Sequence, residues 1–192
     1  MMTFIVVGDF VLNATLLDSI RLSKQRIEAK QIVDVIIKGS GGWANHPIVK
    51  AWRPYLNALK YYANCIIKEH IRRGYKNSIE LYKLPKIVIK PWWSHWDRLH
   101  QSHRAMLFRK NPFYYEGKFD IQEEFLRYGY IWPHDIDYKN RNDPLESITA
   151  EIPDNLIDPK YCPALIKSGS RAGESCNRLL KKGRKFCGTH DK

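Results

Sequence analysis

The sequence predicts a mainly α protein: a compact helical domain with a short extended segment at its amino terminus, followed by a small zinc-stabilised module. Three observations predict it. Apolar residues recur at helical spacing over several stretches, breaker residues separate those stretches, and three cysteines and a histidine gather between positions 162 and 190. A chain of 192 residues has room for one hydrophobic core and a small appendage. Apolar residues at 44% and charged residues at 27% are the composition of a folded protein rather than a disordered one. The boundaries drawn are a helical domain over 1–134, an acidic linker over 135–158 and a basic module over 159–192.

The elements follow in order. Thr3-Phe-Ile-Val-Val opens the chain and ends at Gly8-Asp9, too short for periodicity to separate strand from extended arm. Asp18 reads as a helix N-cap, and the helical pattern to Ile37 stops at Gly39-Ser-Gly-Gly. On a helical wheel Leu22, Ala29, Val33 and Ile36 form the core stripe, with Arg21, Lys24, Gln25 and Glu28 on its border. Asn45-His46-Pro47 predicts the next helix entrance, since proline lacks the amide hydrogen that a first helical residue leaves unused anyway. Pro54 is expected to kink or split this segment. Leu59, Tyr62, Ala63, Ile66, Ile67 and His70 continue at helical spacing to Arg72-Arg73-Gly74, a basic last turn closed by glycine. Cys65, among Ile66 and Ile67, reads as a core residue. Residues 79–93, broken by Pro85 and Pro91, read as an irregular connector. A further helix is expected from Ser94 to about Lys110, with His100, His103 and Leu107 on one face.

Charge narrows the function. The net +12 is uneven: residues 135–158 carry −5, residues 159–192 carry +7, and residues 1–134 supply the remaining +10. Two basic bodies joined by an acidic strap suit a polyanion, because each phosphate neutralised releases condensed counterions. Charge alone does not separate DNA from RNA or an anionic membrane. No apolar run is long enough to span a bilayer, and the first ten residues lack the basic and apolar regions of a secretion signal, so an intracellular location is expected. Trp43, Trp52, Trp92, Trp93, Trp96 and Trp132 lie near basic residues, as stacking platforms for bases would, although tryptophan also fills cores.

Arg21-Leu-Ser-Lys-Gln-Arg-Ile-Glu28, Gly42-Trp-Ala-Asn-His-Pro47, Arg72-Arg-Gly-Tyr75, His100-Gln-Ser-His-Arg104 with Leu107-Phe-Arg-Lys110, and Tyr130-Ile-Trp-Pro133 occur in this order along the chain. Together they resemble small bacterial proteins grouped with the pyrimidine-dimer DNA glycosylases of the phage endonuclease V type. That resemblance implies an all-helical fold that removes one base of an ultraviolet photodimer and then nicks the strand. It implies an amino-terminal amine as nucleophile, attacking the sugar C1′ to form a Schiff base. An α-amino group titrates near neutrality, at about 7.7–8.0, so a useful fraction is nucleophilic. A carboxylate beside it stabilises the cationic sugar and moves the proton needed for elimination.

Under this resemblance Thr3 and Glu28 are the expected catalytic residues, and Arg21, Lys24, Arg26, His46, Arg73, His103 and Arg104 the expected nucleic-acid contacts. Glu28 has a structural alternative, pairing with its cationic helix neighbours. His103 and Arg104 have one as internal hydrogen-bonding groups. The chain begins Met1-Met2-Thr3, whereas the phage mechanism uses an amino-terminal threonine. Three options stay open: translation starts at Met2 and exposes Thr3, the amine belongs to Met1, or the chemistry is absent. The expected partner is damaged duplex DNA, bound by a monomer. The competing readings are a non-catalytic DNA- or RNA-binding protein and a metal-dependent nuclease built on the histidines around His100.

The tail is a separate case. Cys162, Cys176, Cys187 and His190, with 13, 10 and 2 residues between successive members, offer four ligands for one tetrahedral zinc. A segment this small cannot bury a core of its own, so bound zinc is expected to supply its folding energy, and a filled ligand set makes the ion structural.

Overall fold

The computed structural model describes residues 1–133, 148–153 and 156. Within them the helices are α1 (Phe10–Leu16), α2 (Ser19–Lys38), α3 (Pro47–Trp52), α4 (Leu56–Arg72), α5 (Asp97–Lys110) and the single turn α6 (Pro112–Tyr115). One antiparallel sheet pairs β1 (Ile87–Lys90) with β2 (Ile148–Glu151), Ile87 opposite Glu151 and Lys90 opposite Ile148. The mainly helical expectation holds. The zinc ligands Cys162, Cys176, Cys187 and His190 lie outside the described residues.

Local signals fix α2. Asp18 accepts hydrogen bonds from the Ile20 and Arg21 amides, satisfying donors that a helix start leaves unpaired. The helix ends where Gly39 takes φ 71°, a left-handed conformation costly for any residue with a Cβ. Leu22, Ala29 and Val33 are buried, as the wheel predicts. His46 caps α3 with Pro47 in its first turn, and Pro54 sits in the 3-10 turn Arg53–Tyr55 that divides α3 from α4. Gly74, at φ 83°, closes the chain after α4.

Two features differ from the sequence reading, and one lies where it named no element. Between the arm and Asp18, Asp9 accepts from the Val11 and Leu12 amides and starts α1, a helix of 7 residues and so too short for a periodic signal. Ser94 belongs to the 3-10 turn Trp92–His95, and α5 begins at Asp97. Residues 87–90, expected as connector, form β1 between the two prolines. Its partner β2 comes from the acidic segment 135–158, whose Ile152 and Leu156 are buried in the same core as α4. Asn64 of α4 donates to the Leu156 carbonyl at 3.0 Å and the Tyr82 carbonyl at 2.8 Å, tying both sides of the sheet to the helix.

The core lies between α2 and α4 and encloses residues 2–6 of the amino-terminal arm. Met2 to Val6 are all buried. Phe10 packs edge to face on Trp52 and Tyr62 around the arm, with Phe10 and Tyr62 centroids 5.6 Å apart at 90°, and Trp52 lies tilted against Tyr62. Each such ring contributes roughly 1.5–3 kcal/mol by leaving water.

Candidate active site

Among the described residues no strand pairs with the arm as it runs through the core, so its backbone groups need side-chain partners. Phe4 N donates to Gln25 Oε1 (2.8 Å), Ile5 N to His103 Nδ1 (2.9 Å) and Val6 N to Asn13 Oδ1 (2.7 Å). The Phe4 carbonyl accepts from Asn13 Nδ2, the Val6 carbonyl from Arg104 Nε, and the Gly8 carbonyl from Lys90 Nζ. Thr3 is fully buried, and its Oγ1 accepts from Trp52 Nε1 at 2.9 Å. That bond sets the register of the arm. Met2 N then falls 3.2 Å from Glu28 Oε2, and Met1 and Met2 emerge into a cavity of about 400 Å³.

Arg21, Lys24, Gln25 and Glu28 of α2 line one wall of this cavity, with Ile20 above them. Lys110, from the end of α5, joins them through its backbone carbonyl, which accepts from Arg21 Nη2 at 3.2 Å. The opposite side is aromatic. His46 stands 5.5 Å from both Trp43 and Trp132, and Trp132 stands 5.7 Å from Tyr130. His46, Tyr130 and Trp132 line the cavity itself, with Phe4 at its base.

Electrostatics ties these walls to one another. Burial lowers the pKa of His46, the positive amino terminus lowers it further, and Glu28 opposes both. Burial raises the Tyr130 phenol, with Glu28 adding to the rise and Arg21 opposing it. Tyr62, behind Gln25, is pushed well above 10 by burial and then by Glu28. Among the described residues one carboxylate, Glu28, thus lines a cleft with an amine, Arg21, Lys24, Lys110 and an imidazole whose pKa is lowered. Such a site can bind phosphate and stabilise positive charge developing beside Glu28.

Of the residues expected from sequence, Arg21, Lys24, Glu28 and His46 meet here. The others are placed elsewhere. Arg26 reaches Asn77 Oδ1 at 2.6 Å. Arg73 pairs with Glu69 Oε1 (2.7 Å) and donates to the carbonyls of Leu17 and Thr15 at the C-terminal end of α1. His103, 2% exposed, and Arg104 hold the arm, the internal role that was their alternative. His100 Nε2 meets the Ser94 carbonyl at 2.9 Å, so one ring nitrogen of each α5 histidine is engaged in protein contacts. Among the described residues no group of three or more His, Cys, Asp or Glu side chains is arranged to hold a metal. Tyr130, Trp132 and Lys110 stand in motifs noted in the sequence, but nothing local shows that they converge on Glu28.

The fold and cavity define a helical protein with a cationic, aromatic-walled cleft built around its own amino terminus. Residues 1–83 match the family model for pyrimidine dimer DNA glycosylase. The matched region holds the arm, α1 to α4, Glu28 and His46, and ends before Lys110, Tyr130 and Trp132. No curated protein and no solved structure matches the chain. No helix among the described residues is long and apolar enough to cross a membrane.

Proposed function

We propose that this protein is a DNA-repair glycosylase with associated strand-cleaving lyase activity on pyrimidine photodimers, acting through a terminal amine. The observation that carries this reading is the meeting of the amino terminus, Glu28 and three cations in one cavity, inside the region that matches the family model. The amine nitrogen attacks C1′ of the damaged nucleotide. The glycosidic bond breaks, and its electron pair and a proton leave with the base. Passage of the second amine proton to O4′ as the C1′–O4′ bond breaks opens the sugar ring and gives an imine, and removal of a C2′ proton expels the 3′ phosphate. Glu28 stabilises the cationic sugar and carries the C2′ proton. Arg21, Lys24 and Lys110 hold phosphates. The aromatic wall receives an unstacked base, and extrusion costs least where stacking is already damaged.

The register of the arm bears on which amine reacts. A chain beginning at Met2 places its amine on Glu28, and one beginning at Met1 places it one residue further along the same cavity. A terminal Thr3 reaches Glu28 only if the arm slips, giving up the Thr3–Trp52 bond.

The test is borohydride trapping on ultraviolet-irradiated duplex DNA, with peptide mapping of the adduct. An adduct at the amino terminus is expected. Glu28→Gln, which keeps the side chain's size, should lower turnover by roughly two orders of magnitude while leaving DNA affinity within a few-fold. An adduct on an internal lysine, or none on any damaged DNA, would replace this reading with a non-catalytic nucleic-acid-binding protein.

We also propose that Cys162, Cys176, Cys187 and His190 hold one structural zinc, a donor set of three thiolates and an imidazole that suits that ion. Elemental analysis should return about one zinc per chain, and changing Cys176 and Cys187 to Ser should release it. A tail that keeps its order without metal would refute the assignment.

A further inference from the structure

Gln25 is buried at the floor of the cavity, and all four of its amide bonding positions are used. Oε1 accepts from Phe4 N at 2.8 Å and from the Tyr62 hydroxyl at 2.7 Å. Nε2 donates to the Met2 carbonyl at 3.0 Å and to Glu28 Oε2 at 3.1 Å. The orientation is forced. Phe4 N has only a proton to offer. The Tyr62 hydroxyl, 3.2 Å from the Phe4 carbonyl, has its shorter contact with Gln25, which takes its single proton. Turning the amide over would set its NH₂ against two donors and its oxygen against two acceptors.

The consequence falls on Glu28. Its two hydrogen bonds among the described residues, from Met2 N and Gln25 Nε2, both land on Oε2. Oε1 has no such partner. We propose that Gln25 is a positioning residue: its amide commits Oε2 of Glu28 to the arm, stops the carboxylate from rotating, and thereby reserves Oε1 for the reacting sugar. This role rests on the proposed reaction. It accounts for an uncharged residue between Met2 and Glu28, because only an amide accepts from two donors on one side and donates to two acceptors on the other.

The groups that face Glu28 come from every neighbouring element. They are the Met1 amine and Met2 N of the arm, Arg21 and Lys24 of α2, His46 before α3, Tyr62 of α4, Lys110 of α5, and Tyr130. Gln25→Glu keeps the shape of the side chain but sets a second carboxylate against two acceptors, the Met2 carbonyl and Glu28 Oε2. The two carboxylates must then share a proton.

The experiment pairs carboxyl carbon NMR titration of Glu28 in the free protein with pH–rate profiles for trapping on abasic and photodimer DNA. In Gln25→Glu the Glu28 midpoint and the acidic limb of kcat/KM should both rise by about one pH unit or more. In Tyr62→Phe, which removes one of the two donors that fix the amide, kcat should fall about three- to tenfold with KM within about twofold and the acidic limb in place. An unmoved Glu28 midpoint and acidic limb in Gln25→Glu would overturn the role of Gln25 while leaving the reaction standing. So would losses in both variants that only track the folded fraction in thermal melts. Absence of any adduct with the unmodified protein, on either DNA, would overturn the reaction and this role with it.

Discussion

The amino-terminal arm and strand β1 are built from similar residues and solve opposite problems. Thr3-Phe-Ile-Val-Val and Ile87-Val-Ile-Lys are both short, extended and rich in β-branched side chains. Strand β1 alternates exposed and buried residues, with Ile87 and Ile89 outward, and its backbone bonds to β2. The arm is buried from Met2 to Val6 and, among the described residues, has no strand paired with it. Its amides and carbonyls are instead met by Asn13, Gln25, Tyr62, His103, Arg104 and Lys90, drawn from α1, α2, α4, α5 and β1. A segment enclosed in this way consumes polar side chains that would otherwise be free for ligand. In return, helices from across the domain hold its first residues to one register beside Glu28.

The comparison predicts very different tolerance to substitution. Asn13→Leu leaves Val6 N buried without a partner and takes from the Phe4 carbonyl its nearer donor, leaving it only the Tyr62 hydroxyl at 3.2 Å. Unmet buried groups cost about 1–3 kcal/mol each, so a loss of roughly 2–4 kcal/mol is expected in urea unfolding. Ile89→Thr, at a site 61% exposed on β1, should change stability by under about 0.5 kcal/mol, because the ladder bonds are backbone to backbone. Equal effects at the two positions would break the distinction between the segments.

The same contrast explains what the sequence made legible. Helix limits rested on local chemistry that reads directly: the Asp18 cap, the Gly39 and Gly74 stops, Pro47 and Pro54. Arg21, Lys24, Gln25 and Glu28 were visible as one border of α2, since helical spacing alone puts them together. Convergence over long chain separations was not legible. Nothing near Arg73 shows that it caps the end of α1, and nothing near His103 shows that its acceptor nitrogen belongs to Ile5, so both look like free cationic or ligating groups. Strand β1 was hidden because its partner lies beyond residue 147, in a segment whose acidic composition suggested a linker.

The arm's dependence on side chains should also make it sensitive to acid. His103 Nδ1 must stay unprotonated to accept from Ile5 N, and burial, helped by the neighbouring His100, lowers its pKa from 6.5 to about 3. A depressed imidazole means that the unfolded chain binds the proton more readily. The stabilisation is therefore complete above pH 6.5 and is lost as pH falls from 6.5 toward 3. Between pH 7 and pH 5 this one group should remove about 2 kcal/mol of stability. His46, His70 and His100 are lowered too, each first by burial, and add to the slope in the same direction. His103→Asn, whose Oδ1 can replace Nδ1 as the acceptor for Ile5 N, should flatten stability against pH over that range without abolishing the slope. The ladder bonds of β1 are backbone to backbone and do not themselves titrate, so amide exchange there should follow global unfolding while the Ile5 amide opens first as pH falls. Identical pH dependence at Ile5 and Val88 would mean that the arm is held by its apolar packing alone, with His103 a bystander.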